Sequence, residues 1–560
     1  MSTHRPQPTT VLIIFLLIAL LAGCAQPAAQ SPTGQPPTGQ LSPEVLQPPT
    51  AQMDKSRPQA TLAGQVEILT EEMEMPAAEA AASLPNAGSA PLNAFGALEP
   101  PNDLPYIDNY FENYGVNPFI DVEDDPLSTF ALDVDTGSYT VGRRFLQDGY
   151  LPDKDSVRVE EYVNYFKHAY PYPPEGQAFA LQIDGAPSPY GEGERYQMLR
   201  IGVQGYAVPA EARKDVSLTF VIDVSGSMDM ENRLELVKQS LELLVGQLHA
   251  RDRVSIVVYG SDARFILEPT PGDQKETILA AIYALRPEGS TNAEAGLKLG
   301  YQAALRAFNP AGINRVILCS DGVANVGNTG AGSIWDQIKT HASEGVTLTT
   351  VGFGMGNYND VLMEQLADNG EGFYAYVDTI NEAERLFVGN LTSALQVIGL
   401  DAKIQVDFNP QVVARYRLVG FENRAVADED FRNDAVDAGE IGAGHSVTAL
   451  YEVKLHPEAA GTIAAVYLRW EDPDTHEVNE INRAYNTAEL APAFYEAASE
   501  YQRDVLVAEF AEILRQSYWA QGGSLDALVE EALRLQAQRP DDADLAEFVE
   551  LARRAAALGG

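Results

Sequence analysis

The chain has 560 residues, 45% of them hydrophobic, enough apolar material for about three or four domains. A formal net charge of −42 argues against nucleic-acid phosphates and anionic lipid headgroups as electrostatic partners, and reads most simply as a well-solvated acidic exterior. Two cysteines, Cys24 and Cys319, exclude a disulfide framework, and Cys319 lies in an apolar strand as a small core residue.

In chain order, the first feature is an apolar run over residues 11–22. It is too short to span a bilayer and suits the core of a signal peptide. It stops at Leu21-Ala22-Gly23-Cys24, which resembles the lipobox of bacterial lipoproteins. That resemblance implies that residues 1–23 are a signal peptide and that Cys24 carries a lipid anchor. It places the protein at the cell membrane or outer membrane, on the extracytoplasmic side. Residues 24–105 are rich in Pro, Ala and Gln and contain a short P-T-G-Q repeat, the composition expected of a disordered tether.

Residues 106–213 read as an N-terminal α+β unit. It opens strand-like near Pro126 and continues with helical patterns over Gly142–Gln147 and Val157–His168. Alternating strands follow over Phe179–Ile183 and Tyr196–Val203. Asp135-Thr136-Gly137-Ser138 matches the D-T-G-S of aspartic proteases, but no second copy supplies the partner carboxylate that chemistry needs. It reads as a polar turn, with a minor cation site at Asp133, Asp135 and Ser138 as the alternative.

Residues 214–398 alternate strand and helix. Strands are expected over Val216–Val224, Arg253–Tyr259, Ala263–Leu267, Arg315–Ser320, Val346–Gly352 and Phe373–Val377. Helices are expected between them, and a last one over Glu382–Val397. The alternation predicts an α/β, Rossmann-like, doubly wound and mostly parallel sheet, whose ligands bind beyond the carboxyl ends of the strands. At two such ends lie Asp223-Val-Ser225-Gly-Ser227 and Ser320-Asp321-Gly322, and Gly289-Ser290-Thr291-Asn292 offers a hydroxyl from a loop. Carboxylates and hydroxyls are hard oxygen ligands of the kind Mg²⁺ prefers.

These motifs resemble the metal-ion-dependent adhesion site of von Willebrand factor type A (VWA) domains. The resemblance implies that Asp223, Ser225, Ser227, Thr291 and Asp321 hold Mg²⁺, or Mn²⁺ or Ca²⁺, directly or through water. It also implies that one coordination position is left for an Asp or Glu of a partner protein. Gly352-Phe-Gly-Met-Gly356-Asn357 lacks the lysine of a phosphate loop and reads as a plain turn, and the loop from Asn325 to Gly332 reads as a flexible one.

Residues 399–487 carry alternating segments with the pattern of a β-sandwich-like domain, and residues 488–560 form a small helical C-terminal region broken at Gly522-Gly523 and Pro540. The strands near 177–206 are expected to pair with those near 401–487, with the VWA domain inserted between them. From about residue 117 onward the arrangement resembles the bacterial VWA lipoproteins of the YfbK type.

The function expected is a surface-anchored, metal-dependent protein-binding module for adhesion or assembly, with no nucleic-acid partner and no catalytic residues. A metal-independent scaffold of the cell envelope is the alternative. A hydrolase is the weaker third reading: none of the seven histidines forms an H-E-x-x-H pair, and no nucleophile elbow is present.

Overall fold

A computed structural model describes residues 109–190, 196–322, 331–355 and 358–559. The signal-peptide run, Cys24, the tether and residues 325–330 of the expected flexible loop lie outside the described residues. The described residues belong to one compact unit.

The chain opens with β1 (Ile120–Asp121), β2 (Leu127–Ala131), α1 (Gly137–Gln147), α2 (Val159–Asn164), β3 (Phe179–Pro187) and β4 (Tyr196–Gly205). The central domain follows with β5 (Val216–Asp223), α3 (Arg233–Gly246), β6 (Arg253–Tyr259), β7 (Ala263–Pro271), α4 (Lys275–Tyr283) and α5 (Ala293–Arg306). It continues through β8 (Ile313–Ser320), α6 (Ala331–Ser343), β9 (Val346–Phe353), α7 (Asp360–Asp368), β10 (Tyr374–Val377), α8 (Ile380–Glu384) and α9 (Leu391–Leu395). Then come β11 (Val397–Phe408), β12 (Val413–Val419), β13 (Gly439–Gly442), β14 (Ser446–Leu455), β15 (Thr462–Glu471) and β16 (Val478–Asn486). Helices α10 (Ser499–Leu514), α11 (Leu525–Gln538) and α12 (Ala543–Ala557) close the chain.

The central sheet has the order β10-β9-β8-β5-β6-β7. Every neighbour pair is parallel except the β6–β7 hairpin at the edge. Strand β5 is buried at every position, as a near-continuous apolar run must be when helices cover both faces of a parallel sheet. From β5 the chain winds outward through β6 and β7, then returns to β5's other side with β8 and winds the opposite way. The crevice between the carboxyl ends of β5 and β8 is therefore the switch point, where such sheets bind ligands.

The other strands form two antiparallel sheets, β1-β12-β14-β4-β3 and β13-β11-β15-β16, with β2 added alongside β11. They share one core, in which Phe408 stacks on Tyr416 and Phe179 meets Trp470 edge-on, so the two sheets form a sandwich. Strand β4, before the central domain, pairs along its length with β14, after it, from Ser446 opposite Gln204 to Lys454 opposite Tyr196. Elements of residues 106–213 are thus shared between two bodies. The strands enter the sandwich, while α1, α2 and the turn after α2 bury Tyr139, Tyr162 and Phe166 in one core with Phe510 and Phe548 of the C-terminal helices.

The single helix expected over Glu382–Val397 is broken. It runs as α8, a π-helical turn over Arg385–Gly389, and α9. Gly389-Asn390 interrupts the period, and β-branched Val397 and Ile398 already belong to β11, with Val397 opposite Gly442. Acidity is not confined to the exterior either: Asp133, Glu160, Glu161, Asp360, Glu364 and Asp504 are all buried. Among the described residues no helix is long and apolar enough to cross a membrane.

Candidate metal centre

Asp223 closes β5 and Asp321 follows β8 directly. The parallel register sets Ile222 beside Cys319, which brings the two strand ends level. Ser320 Oγ donates to Asp223 Oδ2 at 3.0 Å, and the Ser225 amide donates to Oδ1 at 2.8 Å. Ser225 and Ser227 place their hydroxyls 3.0 Å apart. Asp223 and Ser225 are buried, whereas Ser227 and Thr291 are half-buried and Gly226 is exposed, so the cluster opens to the surface on its hydroxyl side.

The loop carrying Thr291 is docked on the first motif. The Gly226 amide donates to the Gly289 carbonyl at 3.1 Å, and the Glu288 amide bonds to the Val224 carbonyl at 2.5 Å. Gly289 has φ +76°, and a Cβ there would lie 2.5 Å from Ser261 Oγ, so only glycine suits this crossing. Asn292 then caps α5 by accepting from the Ala295 amide at 3.2 Å. The structure thus gathers Asp223, Ser225, Ser227 and Asp321 at the switch point and ties the Thr291 loop to them. Cys24 lies outside the described residues.

Burial and the nearby charge of Asp321 push the Asp223 carboxyl up to about 6, against hydrogen bonds from Ser225 and Ser320 that favour its ionised form. Burial and the charge of Asp223 likewise hold the Tyr259 phenol well above its ordinary range. Two carboxylates held together with hydroxyls form a donor set that suits a hard dication, which would relieve their mutual repulsion.

Two neighbours lie outside the expected ligand set. Ser320 supports Asp223 rather than standing as a ligand of the expected set. Arg233, the first residue of α3, donates from Nη1 to Asp321 Oδ2 at 2.7 Å and from Nη2 to the Met355 carbonyl. The glycine-rich turn read as plain thus cradles an arginine of the site. Residues 356 and 357 of that turn lie outside the described residues.

The alternative cation site at Asp133, Asp135 and Ser138 is already engaged. Arg424 reaches Asp133 at 3.0 Å and Asp135 at 3.5 Å, and Ser138 Oγ donates to the Ser156 carbonyl at 2.6 Å. Asp135 Oδ1 accepts from the Tyr374 amide of β10 at 3.0 Å, so the D-T-G-S turn docks onto the edge of the central sheet. Among the described residues, Asp133, Glu161 and Glu364 alone offer three such ligand atoms within 4.8 Å of one another. Arginines claim this group: Arg158 pairs with Glu161, and Arg424 with Asp133 and with Glu364.

Three family profiles match the chain: "von Willebrand factor" over residues 106–199, "von Willebrand factor type A domain" over 217–388, and "Uncharacterized protein YfbK, C-terminal" over 393–558. Uncharacterized protein YfbK of Escherichia coli (strain K12) is 40% identical over 388 residues, covering 68% of this chain and 66% of that protein, just under two thirds of its length. Inter-alpha-trypsin inhibitor heavy chain H2 of Sus scrofa is 25% identical over 182 residues, covering 30% of this chain and 19% of that protein. A solved von Willebrand factor type A structure from Catenulispora acidiphila matches with a TM-score of 0.39 at 16% identity, covering 70% of this chain and 89% of that one.

Proposed function

For a YfbK-like chain that carries a von Willebrand factor type A domain, we propose a surface-anchored protein-binding module for adhesion or assembly. In this reading Asp223, Ser225, Ser227, Thr291 and Asp321 hold Mg²⁺, Mn²⁺ or Ca²⁺, directly or through water. A partner protein supplies an Asp or Glu as the remaining ligand, and a lipid on Cys24 holds the module at the membrane, outside the cytoplasm. The observation that carries the proposal is the pairing of Asp223 and Asp321 at the switch point of the sheet, beside hydroxyls that open to the surface. The bound ion supplies Lewis acidity toward one more anionic oxygen. The chain's own residues orient the two carboxylates, bury them from competing water and leave Ser227 at the mouth.

Calorimetric titration of Mg²⁺ and Mn²⁺ into the wild-type protein, Asp223→Ala and Asp321→Ala tests this reading. A saturable site in the wild type, lost in both variants, is expected, together with EDTA-sensitive capture of the partner. Identical weak titrations in all three proteins would sink it. A metal-independent envelope scaffold is the second reading. It draws on the Arg233–Asp321 ion pair, which satisfies Asp321 with the chain's own cation.

A further inference from the structure

Arg233 is built into the candidate metal centre rather than lying across it by chance. It is 3% exposed, and its Nη1 lies 2.7 Å from Asp321 Oδ2. Its Nη2 is tied to the Met355 carbonyl, and its stem lies against the backbone of Gly354. Gly354 has φ +82°, and a Cβ there would stand 2.3 Å from Arg233 Nε, so the turn is shaped around this side chain. Held on these sides, the guanidinium cannot swing out unless the turn opens. Its charge is permanent and its position fixed.

We propose that Arg233 is an internal counter-cation that weakens the hold of Asp223 and Asp321 on a dication and so makes tight metal binding depend on an anionic group from the partner. This rests on the metal reading of the site. Glu231, 3.9 Å from Arg233, is itself paired with Arg144 at 3.5 Å, so at the ion two carboxylates and one guanidinium leave one negative charge and the loaded centre keeps one positive charge. In a partly buried site that charge is poorly screened by water, and an incoming carboxylate neutralises it. Metal and acidic ligand then strengthen one another, and the coupling is reciprocal. Without the arginine the two carboxylates alone would neutralise the ion, and the demand for a partner anion would fall.

A competing effect runs the other way. A carboxylate ligand that loses its supporting hydrogen bond commonly loses about 10–100-fold in metal affinity. Arg233→Gln and Arg233→Lys separate the two, because lysine keeps the charge and loses the fork, while glutamine loses the charge. The experiment is calorimetric titration of Mn²⁺ into the full chain and both variants, in chloride and in acetate at equal ionic strength. Arg233→Gln is expected to bind Mn²⁺ at least about tenfold more tightly than wild type and Arg233→Lys within about threefold of it, as fixed-charge repulsion requires. Acetate is expected to tighten Mn²⁺ binding in wild type and to do so less in Arg233→Gln.

Equal or weaker binding by Arg233→Gln overturns the proposal and leaves the metal reading standing. If Arg233→Gln does not fold, the wild-type titrations decide, because an affinity indifferent to acetate overturns it too. Absence of any saturable Mn²⁺ site in wild type overturns the metal reading itself, and the role of Arg233 with it.

Discussion

Two acid clusters differ in what surrounds them, one at the switch point of the central sheet and one where that sheet's domain meets the rest of the chain. At the carboxyl ends of β5 and β8, two aspartates share their surroundings with hydroxyls and one arginine, and the cluster has a half-buried mouth. At the seam where α7 meets the α2 helix and the loop after β12, Asp133, Asp135, Glu161, Asp360, Glu364 and Asp368 surround Arg158 and Arg424. The seam has the more carboxylates, yet its oxygens are claimed by guanidinium forks and by backbone amides such as those of Ser138 and Asp135. The number of acids therefore does not make a cation site. What sets the first cluster apart is its pair of serine hydroxyls and a way in from solvent.

The largest expected effect tests the seam. Arg424→Met leaves Asp133, Asp135, Glu364 and Asp368 without their shared cation. Removing one partner of a buried pair costs about 3–5 kcal/mol, because the remaining charge stays buried. A denaturant titration is expected to show a loss of that size, or no folded protein. A loss below about 1 kcal/mol, the level of a surface ion pair, would mean that the seam is wet and not a structural joint.

The candidate metal centre should respond in the opposite sense. Asp223→Asn removes one of two repelling carboxylates while keeping an acceptor for the Ser225 amide. The metal-free variant is expected to be as stable as wild type at pH 7.5, or more stable by about 1–2 kcal/mol, because the ionised carboxylate is disfavoured in the fold. The same variant is expected to lose saturable Mg²⁺ binding. Thermal melts in EDTA and a calorimetric titration check the two halves. A destabilised variant would show that Asp223 is a structural cap rather than a strained ligand.

The contrast also explains which parts were legible in the sequence. The strand–helix alternation and the D-x-S-x-S motif are local patterns, so the parallel sheet and the positions of Asp223, Ser225 and Ser227 could be read directly. Parallel pairing then fixes where Asp321 must stand. The seam has no local pattern. Asp133 and Arg424 are separated by 291 positions, and Arg158 and Asp360 by 202. Each looks in sequence like a solvated charge, which is why the acidity read as an exterior property. Arg233 was hidden for the same reason: its partners Asp321 and Met355 lie beyond three and four further strands. The break at Arg385–Gly389 was missed because apolar spacing continues through it, while the pull of Val397 and Ile398 into β11 is tertiary.

A smaller effect comes from pH. Burial, then the charges of Asp133 and Glu364, push the Glu161 carboxyl up to about 8, although Arg158 opposes the shift. In the unfolded chain the same group ionises near 4.5. The folded state therefore holds the extra proton between these values. Stability should fall as pH rises through that window and level off above it, by about 1 kcal/mol between pH 7 and pH 9 from this group. Glu161→Gln should flatten that part of the profile, measured by melts at several pH values. An unchanged slope would place the proton on another seam acid, such as Glu364, which burial also raises to about 7.

The smallest effect is expected where charge pairs face water. Arg432 and Glu480 bridge two sandwich elements at 2.8 Å, but the arginine is 57% exposed. There the Coulomb gain is screened and offset by the entropy of ordering a long side chain, and such pairs contribute about 0–1 kcal/mol. Arg432→Gln should therefore shift the unfolding midpoint barely, and 0.5 M salt should abolish even that difference. Arg424 instead spreads single contacts over several carboxylates, of which Asp133, Asp135 and Glu364 are buried, so its loss should persist at that salt. If the two substitutions cost the same, burial would not be what separates the seam from the surface, and the contrast between the seam and the candidate metal centre would need a different cause.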